Sequence, residues 1–229
     1  MSGFELMLFY AGPADATAAA AAGIEGLVVD WERRGKARVS VDGEFWAELD
    51  SAVAAESGLR EGAVLSSEEL ARVRVAGERP VAMGRAFNLL GYRARSEGEV
   101  RDRLRRYGYA EETVEAVILR LRELGYLDDA EFARMKAREK ARKYGPRRVS
   151  AELRQSGVGE DLASGVVEEE FAGRSEVGEA RSAAARRYNG RGSDAEARRV
   201  YGFLVRRGYS AEVCAQVARE YREPPEAGE

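Results

Sequence analysis

The sequence of 229 residues contains no histidine and one cysteine, Cys214. The lack of histidine excludes a histidine base, a histidine metal ligand and the Ser-His or Cys-His pairs of nucleophilic enzymes. One cysteine can form neither an internal disulfide nor a cysteine-rich zinc site. Cys214 falls on the apolar stripe of the last predicted helix, so we interpret it as a structural thiol of a reduced, cytoplasmic protein. A reactive thiol is the alternative interpretation.

Long apolar runs are also missing. No segment approaches the roughly 18 apolar residues of a transmembrane helix. The N-terminal run FELMLFYAG lacks the early positive charge of a signal peptide, because the first arginine is Arg33. We therefore expect no membrane partner and interpret residues 1–23 as a poorly ordered extension.

Recognisable nucleotide and metal motifs are scarce. The only Gly-Lys pair, Gly35-Lys36, lacks the upstream glycine of a phosphate-binding loop. Asp128, Asp129 and Glu131 could hold Mg²⁺, but Asp128 and Glu131 also have the spacing of a helix capping box. We favour capping, and we expect no cofactor, no metal and no enzymatic activity.

A unit of about 50 residues occurs three times and organises the rest of the chain. Its reference points are Gly108, Gly157 and Gly208, which are 49 and 51 residues apart. Apolar residues stand eight and four positions before each glycine, and one and nine positions after it. They are Val100, Leu104, Tyr109 and Val117; Val149, Leu153, Val158 and Val166; and Val200, Leu204, Tyr209 and Val217.

This spacing predicts two amphipathic helices that meet at a tight turn in each unit. A glycine just past the last periodic residue can adopt the left-handed conformation that ends a helix. One further helix precedes each pair, so each unit is a three-helix repeat. The second unit is expected to begin with the longest helix, over residues 129–144.

The segment before the repeats has an apolar period of two. Residues 24–31 and 36–41 alternate as strands do, and Asp42-Gly43 is a strong hairpin signal before a third strand at Glu44-Phe45-Trp46. This pattern predicts a three-stranded meander. Two short helices should follow it, over residues 50–57 and 67–75.

Pro80 is expected to break the chain between this module and the repeats, where a separate helix begins at Met83. The predicted fold class is therefore all-α, with three tandem three-helix repeats preceded by a small β-meander plus short-helix module. The predicted segments are 1–23 (extension), 24–79 (N-terminal module), 80–127, 128–172 and 173–223 (the repeats) and 224–229 (tail).

Charge is distributed unevenly along the chain, whose formal net charge is −3. Residues 1–80 hold 8 basic and 14 acidic residues, whereas residues 81–229 hold 29 and 26. Between Arg134 and Arg154 there are nine basic residues against Glu139 and Glu152. Such a stretch favours a polyanion or an acidic protein surface as partner, although a single arginine is more often only solvated.

The helix that begins at residue 129 should carry these charges on two flanks of a seam formed by Ala133, Ala137, Ala141 and Tyr144. Lys136, Lys140 and Lys143 lie on one flank and Arg134, Arg138 and Arg142 on the other. Paired arginines recur near the glycines of the first and third units. The candidate partner-binding residues are Arg103, Arg106, Arg134, Lys136, Lys140, Lys143, Arg147, Arg148, Arg206 and Arg207.

Four blocks resemble the RecX family, whose members regulate the bacterial RecA recombinase. They are SEGEVRDRLRRYGY (96–109), GYLDDAEFA (125–133), ARKYGPRRVSAELRQSGV (141–158) and YGFLVRRGY (201–209). The resemblance covers residues 81–221. It implies an array of three-helix repeats that lies in the groove of the RecA–DNA filament and restrains ATPase activity and strand exchange during recombination and DNA repair.

Two functions therefore remain open at this point. The first is a monomeric regulator that binds the RecA filament, with single-stranded DNA as a possible part of the contact. The alternative is a stand-alone helical module that binds DNA phosphates through its basic face. The sequence does not separate them, because a filament groove presents protein and DNA together.

Overall fold

The computed structural model describes residues 27–32, 35–41, 44–59, 66–190 and 192–222. The predicted extension 1–23, the Asp42-Gly43 turn and the tail 224–229 lie outside the described residues. The chain divides into two compact units. Unit 1 comprises Met1–Arg95 and Glu99–Leu127, and unit 2 comprises Ser96–Gly98 and Asp128–Glu229.

Unit 1 begins with the predicted antiparallel meander, in the order β1-β2-β3. The strands are β1 (Leu27–Glu32), β2 (Lys36–Val41) and β3 (Glu44–Asp50). Alternate residues of the strands are fully buried against the helices that follow, as the period of two predicts. A short helix, α1 (Ser51–Glu56), begins directly after β3.

The helix α2 (Ser67–Tyr92) runs through Pro80 without interruption. The predicted break at Pro80, and the separate helix from Met83, are therefore wrong. Pro80 lies on the exposed side, whereas Leu70 packs into the core of the meander and Val81 into the core of the first repeat. The burial of residues before and after Pro80 outweighs the loss of the one hydrogen bond that proline cannot donate. At 26 residues α2, not the helix from residue 129, is the longest described helix.

Glu78 ties α2 to the first repeat. Its carboxylate is almost fully buried and accepts hydrogen bonds from the Thr113 hydroxyl at 2.8 Å and from the Ala110 N–H at 2.9 Å. Arg74 donates to the other carboxylate oxygen at 2.8 Å. A buried carboxylate needs such partners, and these hydrogen bonds connect Glu78, two residues before Pro80, to the first repeat.

The remaining described helices follow the three-helix pattern. They are α3 (Glu97–Arg106), α4 (Glu111–Glu123), α5 (Asp129–Ala141), α6 (Pro146–Gln155), α7 (Glu160–Phe171), α8 (Glu176–Ala185), α9 (Asp194–Arg207) and α10 (Ala211–Arg222). Pro146 occupies the first turn of α6, where a missing N–H costs nothing. The fold class is therefore confirmed, while the predicted repeat boundaries stay predictions.

The predicted repeat frame is confirmed residue by residue. All twelve apolar positions of the frame are buried. Gly108, Gly157 and Gly208 have φ values of +85°, +78° and +84°, the left-handed conformation in which a side chain would be strained. Each glycine therefore ends one helix and lets the next apolar residue fold back onto the core.

Polar side chains cap several helices at their N-termini. Ser66 and Glu69 form a complete capping box at α2, and Ser193 accepts from the Glu196 N–H at α9. Asp128 accepts from the Glu131 N–H at 2.9 Å and so caps α5, as we favoured.

Candidate functional site

Most of the candidate basic residues lie on α5, on α6 and at the end of α9, all within unit 2. The seam of α5 is buried at Ala133, Ala137 and Ala141, so its charged residues project on either side of that seam. The turn between α5 and α6 then contacts the end of α9. This contact decides which basic side chains remain available to a partner.

The backbone contact between Gly145–Arg148 and Arg206–Gly208, here called the Gly145–Gly208 joint, is very close. The Gly145 N–H donates to the Arg207 carbonyl at 2.8 Å, and the Arg147 N–H donates to the Gly208 carbonyl at 3.1 Å. A Cβ at Gly145 would lie 2.7 Å from the Gly208 carbonyl oxygen. Glycine is therefore required on both sides of the joint.

A second joint in unit 2 uses the same repeat positions. Ser96 and Gly145 both stand twelve residues before the glycine of their own repeat. The Ser96 hydroxyl donates to the Ser156 carbonyl, and a Cβ at Gly98 would lie 2.6 Å from the Cα of Gly157. The joint is therefore a recurring feature of the repeats, which the sequence frame did not reveal.

Lys136 and Lys140 are engaged inside unit 2. The Lys136 ammonium donates to the Ser156 hydroxyl and lies 5.5 Å from the centre of the Phe132 ring. Lys140 lies 3.2 Å from a Glu139 carboxylate oxygen and 3.7 Å from one of Glu152. The hydrogen bond and the negative charge of Glu139 raise the pKa of Lys140. Both lysines are therefore partly committed to internal contacts.

Arg148 and Arg207 stabilise the Gly145–Gly208 joint with their side chains. Arg148 donates to Glu152 at 3.1 Å and to the Arg206 carbonyl at 3.3 Å. Arg207 donates to the Lys143 carbonyl at 2.8 Å, and its guanidinium lies 4.7 Å from the centre of the Phe203 ring. These two arginines therefore stabilise the joint, and they also add positive charge to it.

Three candidate residues at the Gly145–Gly208 joint have cationic side chains without an ion pair in the described structure. Among the described residues, the exposed side chains of Lys143, Arg147 and Arg206 form no ion pair. The joint brings the backbones of these three residues close together, so three unpaired positive charges belong to one region of unit 2. Arg134 is also exposed, and its only ion pair within the described ranges is a 3.9 Å contact to Glu169.

Arg103 and Arg106 lie in unit 1, on α3. Both are exposed and form no ion pair with the described part of the chain, whereas the neighbouring Arg105 is paired with Glu111. Which of these arginines form ion pairs depends on the fold and could not be assigned from the sequence. Within unit 2 sequence reasoning also left Arg138 and Arg142 out of the candidate set, although both are exposed and, in the described structure, without an ion pair.

No described helix is long and apolar enough to cross a membrane. Among the described residues there is also no group of three or more cysteine, aspartate or glutamate side chains arranged to hold a metal ion.

Family models match two consecutive parts of the chain. The model of the RecX first three-helix domain matches residues 82–121, and that of the RecX second three-helix domain matches residues 128–166. The first match covers the end of α2 together with α3 and most of α4. The second covers α5, α6 and half of α7. It therefore includes Lys143 and Arg147, two of the three unpaired cations at the Gly145–Gly208 joint.

Individual relatives agree with the family models. The "Regulatory protein RecX" of Lactobacillus johnsonii is 34% identical over 133 residues, which is 57% of this chain and about half, 49%, of that protein. The "Regulatory protein RecX" of Listeria welshimeri is 26% identical over 86% of this chain and 75% of its own length. A crystal structure of a regulatory protein RecX shares the fold, with a TM-score of 0.56 and 24% identity over 83% of this chain and 96% of that one.

Proposed function

Because this chain belongs to the RecX family of regulatory proteins, we propose that it binds the RecA recombinase filament and inhibits its ATPase and strand-exchange activities. It acts as a non-catalytic monomer in the cytoplasm, during recombination and DNA repair. The observation that carries the proposal is the cluster of unpaired cations Lys143, Arg147 and Arg206 in unit 2. Clustered positive charge attracts a polyanionic partner and steers its approach.

The proposed partner-binding surface includes the other candidate residues in a supporting role. Lys136, Lys140, Arg148 and Arg207 contribute positive potential while they hold neighbouring helices together. Arg134 lies beside them on α5, and Arg103 and Arg106 provide exposed charge in unit 1. Neutralising an unpaired cation should therefore affect binding alone, whereas neutralising a paired one should also affect folding.

The test is a triple charge reversal, Lys143→Glu, Arg147→Glu and Arg206→Glu, in the full chain. Exposed charges contribute little to stability, so the variant should melt with the parent. The readout is the ATPase activity of RecA on single-stranded DNA. The parent should suppress it, and the variant should need at least about tenfold more protein for the same suppression.

The matched control reverses three exposed arginines outside the joint, Arg198, Arg199 and Arg219, which also form no ion pair within the described residues. It changes the net charge equally, so a general charge effect would weaken both variants alike. Only a site at the joint separates them. The separation should shrink at high salt, where screening has already weakened the parent.

A stand-alone DNA-binding module is the other outcome of the same experiment. It requires the parent to bind bare single-stranded DNA as tightly as RecA-coated DNA and to leave the ATPase unchanged. Equal inhibition by the parent and the triple variant would instead move the site away from Lys143, Arg147 and Arg206.

A further inference from the structure

A small polar pocket opens in unit 1, between the strands β2 and β3, the helix α2 and the turn from α3 to α4. Its volume is about 200 Å³, and charged and aromatic side chains form most of its wall. Its described lining includes none of the candidate partner-binding residues. The pocket is therefore separate from the partner-binding surface proposed above.

Tyr109 brings an unsatisfied hydroxyl to the wall of this pocket. Tyr109 is only 8% exposed, and its hydroxyl is the buried side-chain atom that lacks a hydrogen bond among the described residues. Burial raises the pKa of Tyr109, Arg85 opposes the rise without forming a hydrogen bond, and Glu48 and Glu78 add to it. These three charged residues all line the pocket, so the hydroxyl that they act on lies beside it. The phenol keeps its proton, and it is a donor that lacks an acceptor.

The charges around the pocket leave a positive excess. Glu48 accepts hydrogen bonds from Lys36 and from Arg85, both at 2.7 Å. Glu78 is the buried carboxylate whose partners were described with the fold. Arg38 is exposed, lines the pocket and has no ion pair with any described residue. Both acidic side chains are therefore neutralised, and the charge that remains is positive.

The two arginines of the pocket are held by aromatic rings. The guanidinium carbon of Arg38 lies 5.5 Å from the centre of the Phe45 ring. That of Arg85 lies 4.8 Å from the centre of the Tyr107 ring and 5.6 Å from that of Tyr109. A guanidinium stacked in this way keeps its N–H edge available, and a carboxylate fits that edge. A nucleobase, by contrast, would have to displace the guanidinium groups before it could stack on these rings.

Arg85 can turn away from Glu48 without leaving a charge unpaired. The Tyr109 hydroxyl has almost no contact with solvent, so an acceptor reaches it only when a neighbouring side chain moves. Arg85 lies over the Tyr109 ring and is such a neighbour. Because Lys36 also contacts Glu48 at 2.7 Å, that carboxylate stays neutralised when Arg85 leaves. One acceptor can then bind both Arg85 and the hydroxyl.

We propose that this pocket binds a carboxylate group, held by the guanidinium groups of Arg38 and Arg85 and by a hydrogen bond from the Tyr109 hydroxyl. The two acidic side chains of the wall repel a doubly charged phosphate more strongly than a carboxylate. The carboxylate belongs either to a small free acid or to an acidic side chain of a partner protein. The exposed rings of Phe45 and Tyr107 favour the protein, because aromatic side chains are enriched at protein interfaces.

The experiment follows the arginine Nε–H signals of the full chain by nuclear magnetic resonance at constant ionic strength. The three probes are acetate, a short blocked peptide with a single glutamate, and the same peptide with glutamine instead. The test variants are Arg38→Gln and Tyr109→Phe. The matched control is Arg79→Gln, which removes an exposed arginine of unit 1 that lies outside the pocket lining and has no ion pair among the described residues.

The titrations distinguish the two sources of the carboxylate. Saturable binding of the glutamate peptide that is tighter than that of acetate supports a partner protein, and equal binding of the two supports a free acid. In both cases Arg38→Gln and Tyr109→Phe should each weaken binding about tenfold, whereas Arg79→Gln should bind like the parent. The proposal is overturned if neither carboxylate probe binds, if the glutamine peptide binds equally well, or if Arg38→Gln and Arg79→Gln bind alike.

Thermal melts without any probe test the hydroxyl separately. A buried hydroxyl without a partner does not stabilise the fold, so Tyr109→Phe should melt at the parent's temperature or above it. A lower melting temperature would show that the hydroxyl already has an acceptor, such as an ordered water molecule, in the free protein. That result would overturn its role as a donor to a ligand. None of these measurements involves RecA, so their failure is distinct from a failure of the proposed function.

Discussion

Replacing Gly208 with alanine should destabilise unit 2 more than its backbone conformation alone explains. Gly208 has a φ of +84°, which costs an alanine roughly 1–2 kcal/mol. In addition, the new Cβ would overlap the backbone nitrogen and Cβ of Arg148 and would lie 2.8 Å from its Cα. Because the backbone of α6 fixes the positions of all three atoms, rotating a side chain cannot relieve the overlap.

Relief of that overlap requires the Gly145–Gly208 joint to open. Opening breaks the hydrogen bonds donated by the Gly145 and Arg147 N–H groups, and each contributes about 1 kcal/mol. The total loss expected for Gly208→Ala is therefore about 3–4 kcal/mol. The matched control is Gly173→Ala in the same unit, where φ is +72° and no other described residue, apart from the chain neighbours, comes within 4 Å of the new Cβ. Its loss should be about 1–2 kcal/mol.

Urea unfolding followed by circular dichroism measures both losses. Hydrogen exchange adds a local readout. The Gly145 and Arg147 amides should exchange faster in Gly208→Ala than in the parent, and at the parent's rate in Gly173→Ala. Equal losses in the two variants, with no change at these amides, would show that the joint contributes nothing to stability and that only the φ angle matters.

Three further measurements examine the cores and the titrating groups. Leu153 is fully buried, so Leu153→Ala should lower the free energy of unfolding by about 2–5 kcal/mol and Leu153→Asp should lower it further; a melt like that of the parent would contradict the repeat frame. Burial opposes ionisation of Glu48, but hydrogen bonds from Lys36 and Arg85 outweigh it and hold the pKa of Glu48 below its usual value of 4.5. The ionised form therefore stabilises unit 1, this stability is lost as the pH falls below 4.5 through the lowered pKa, and Glu48→Gln should flatten acid unfolding. Burial raises the pKa of the Cys214 thiol, so a thiol reagent at pH about 8 should modify it only after denaturation, and rapid modification of the folded protein would show that the thiol is reactive.

The repeat was predictable from the sequence because its signals are local. A glycine such as Gly157 needs a positive φ whatever surrounds it, and Leu153 stands one helical turn before it on the buried side. Helix periodicity and a C-terminal glycine together determine where a helix ends and which face it buries. The meander was predictable for the same reason, since period-two alternation marks the buried face of a strand.

The helix through Pro80 could not be predicted from such signals. Proline locally disfavours a helix interior, but α2 buries Leu70 before Pro80 and Val81 after it, and the buried carboxylate of Glu78 binds the first repeat. Only the tertiary contacts show that continuing the helix is worth more than breaking it. The internal contacts of the basic side chains also depend on tertiary structure. Lys136 donates a hydrogen bond to Ser156, twenty residues away, and no short spacing rule identifies this partner.

The basic stretch therefore contains two kinds of residue, and neighbouring arginines on α6 should separate them. Arg148 donates to Glu152 and to the Arg206 carbonyl, and its guanidinium lies 4.7 Å from the centre of the Tyr144 ring. The side chain of Arg147 is exposed and has no ion pair among the described residues. If the chain inhibits the RecA ATPase as proposed, Arg147→Gln should weaken that inhibition without changing the melting temperature.

Arg148→Gln removes the same charge one residue away, but it also removes contacts that hold the joint. It should lower the melting temperature and weaken inhibition together, because the joint keeps Arg147 close to Arg206. If instead both variants melt with the parent and lose inhibition equally, the internal contacts of Arg148 add nothing to the stability of the joint. Loss of inhibition for Arg148→Gln alone would place the binding charge on the paired arginine and refute the role given to the unpaired cations.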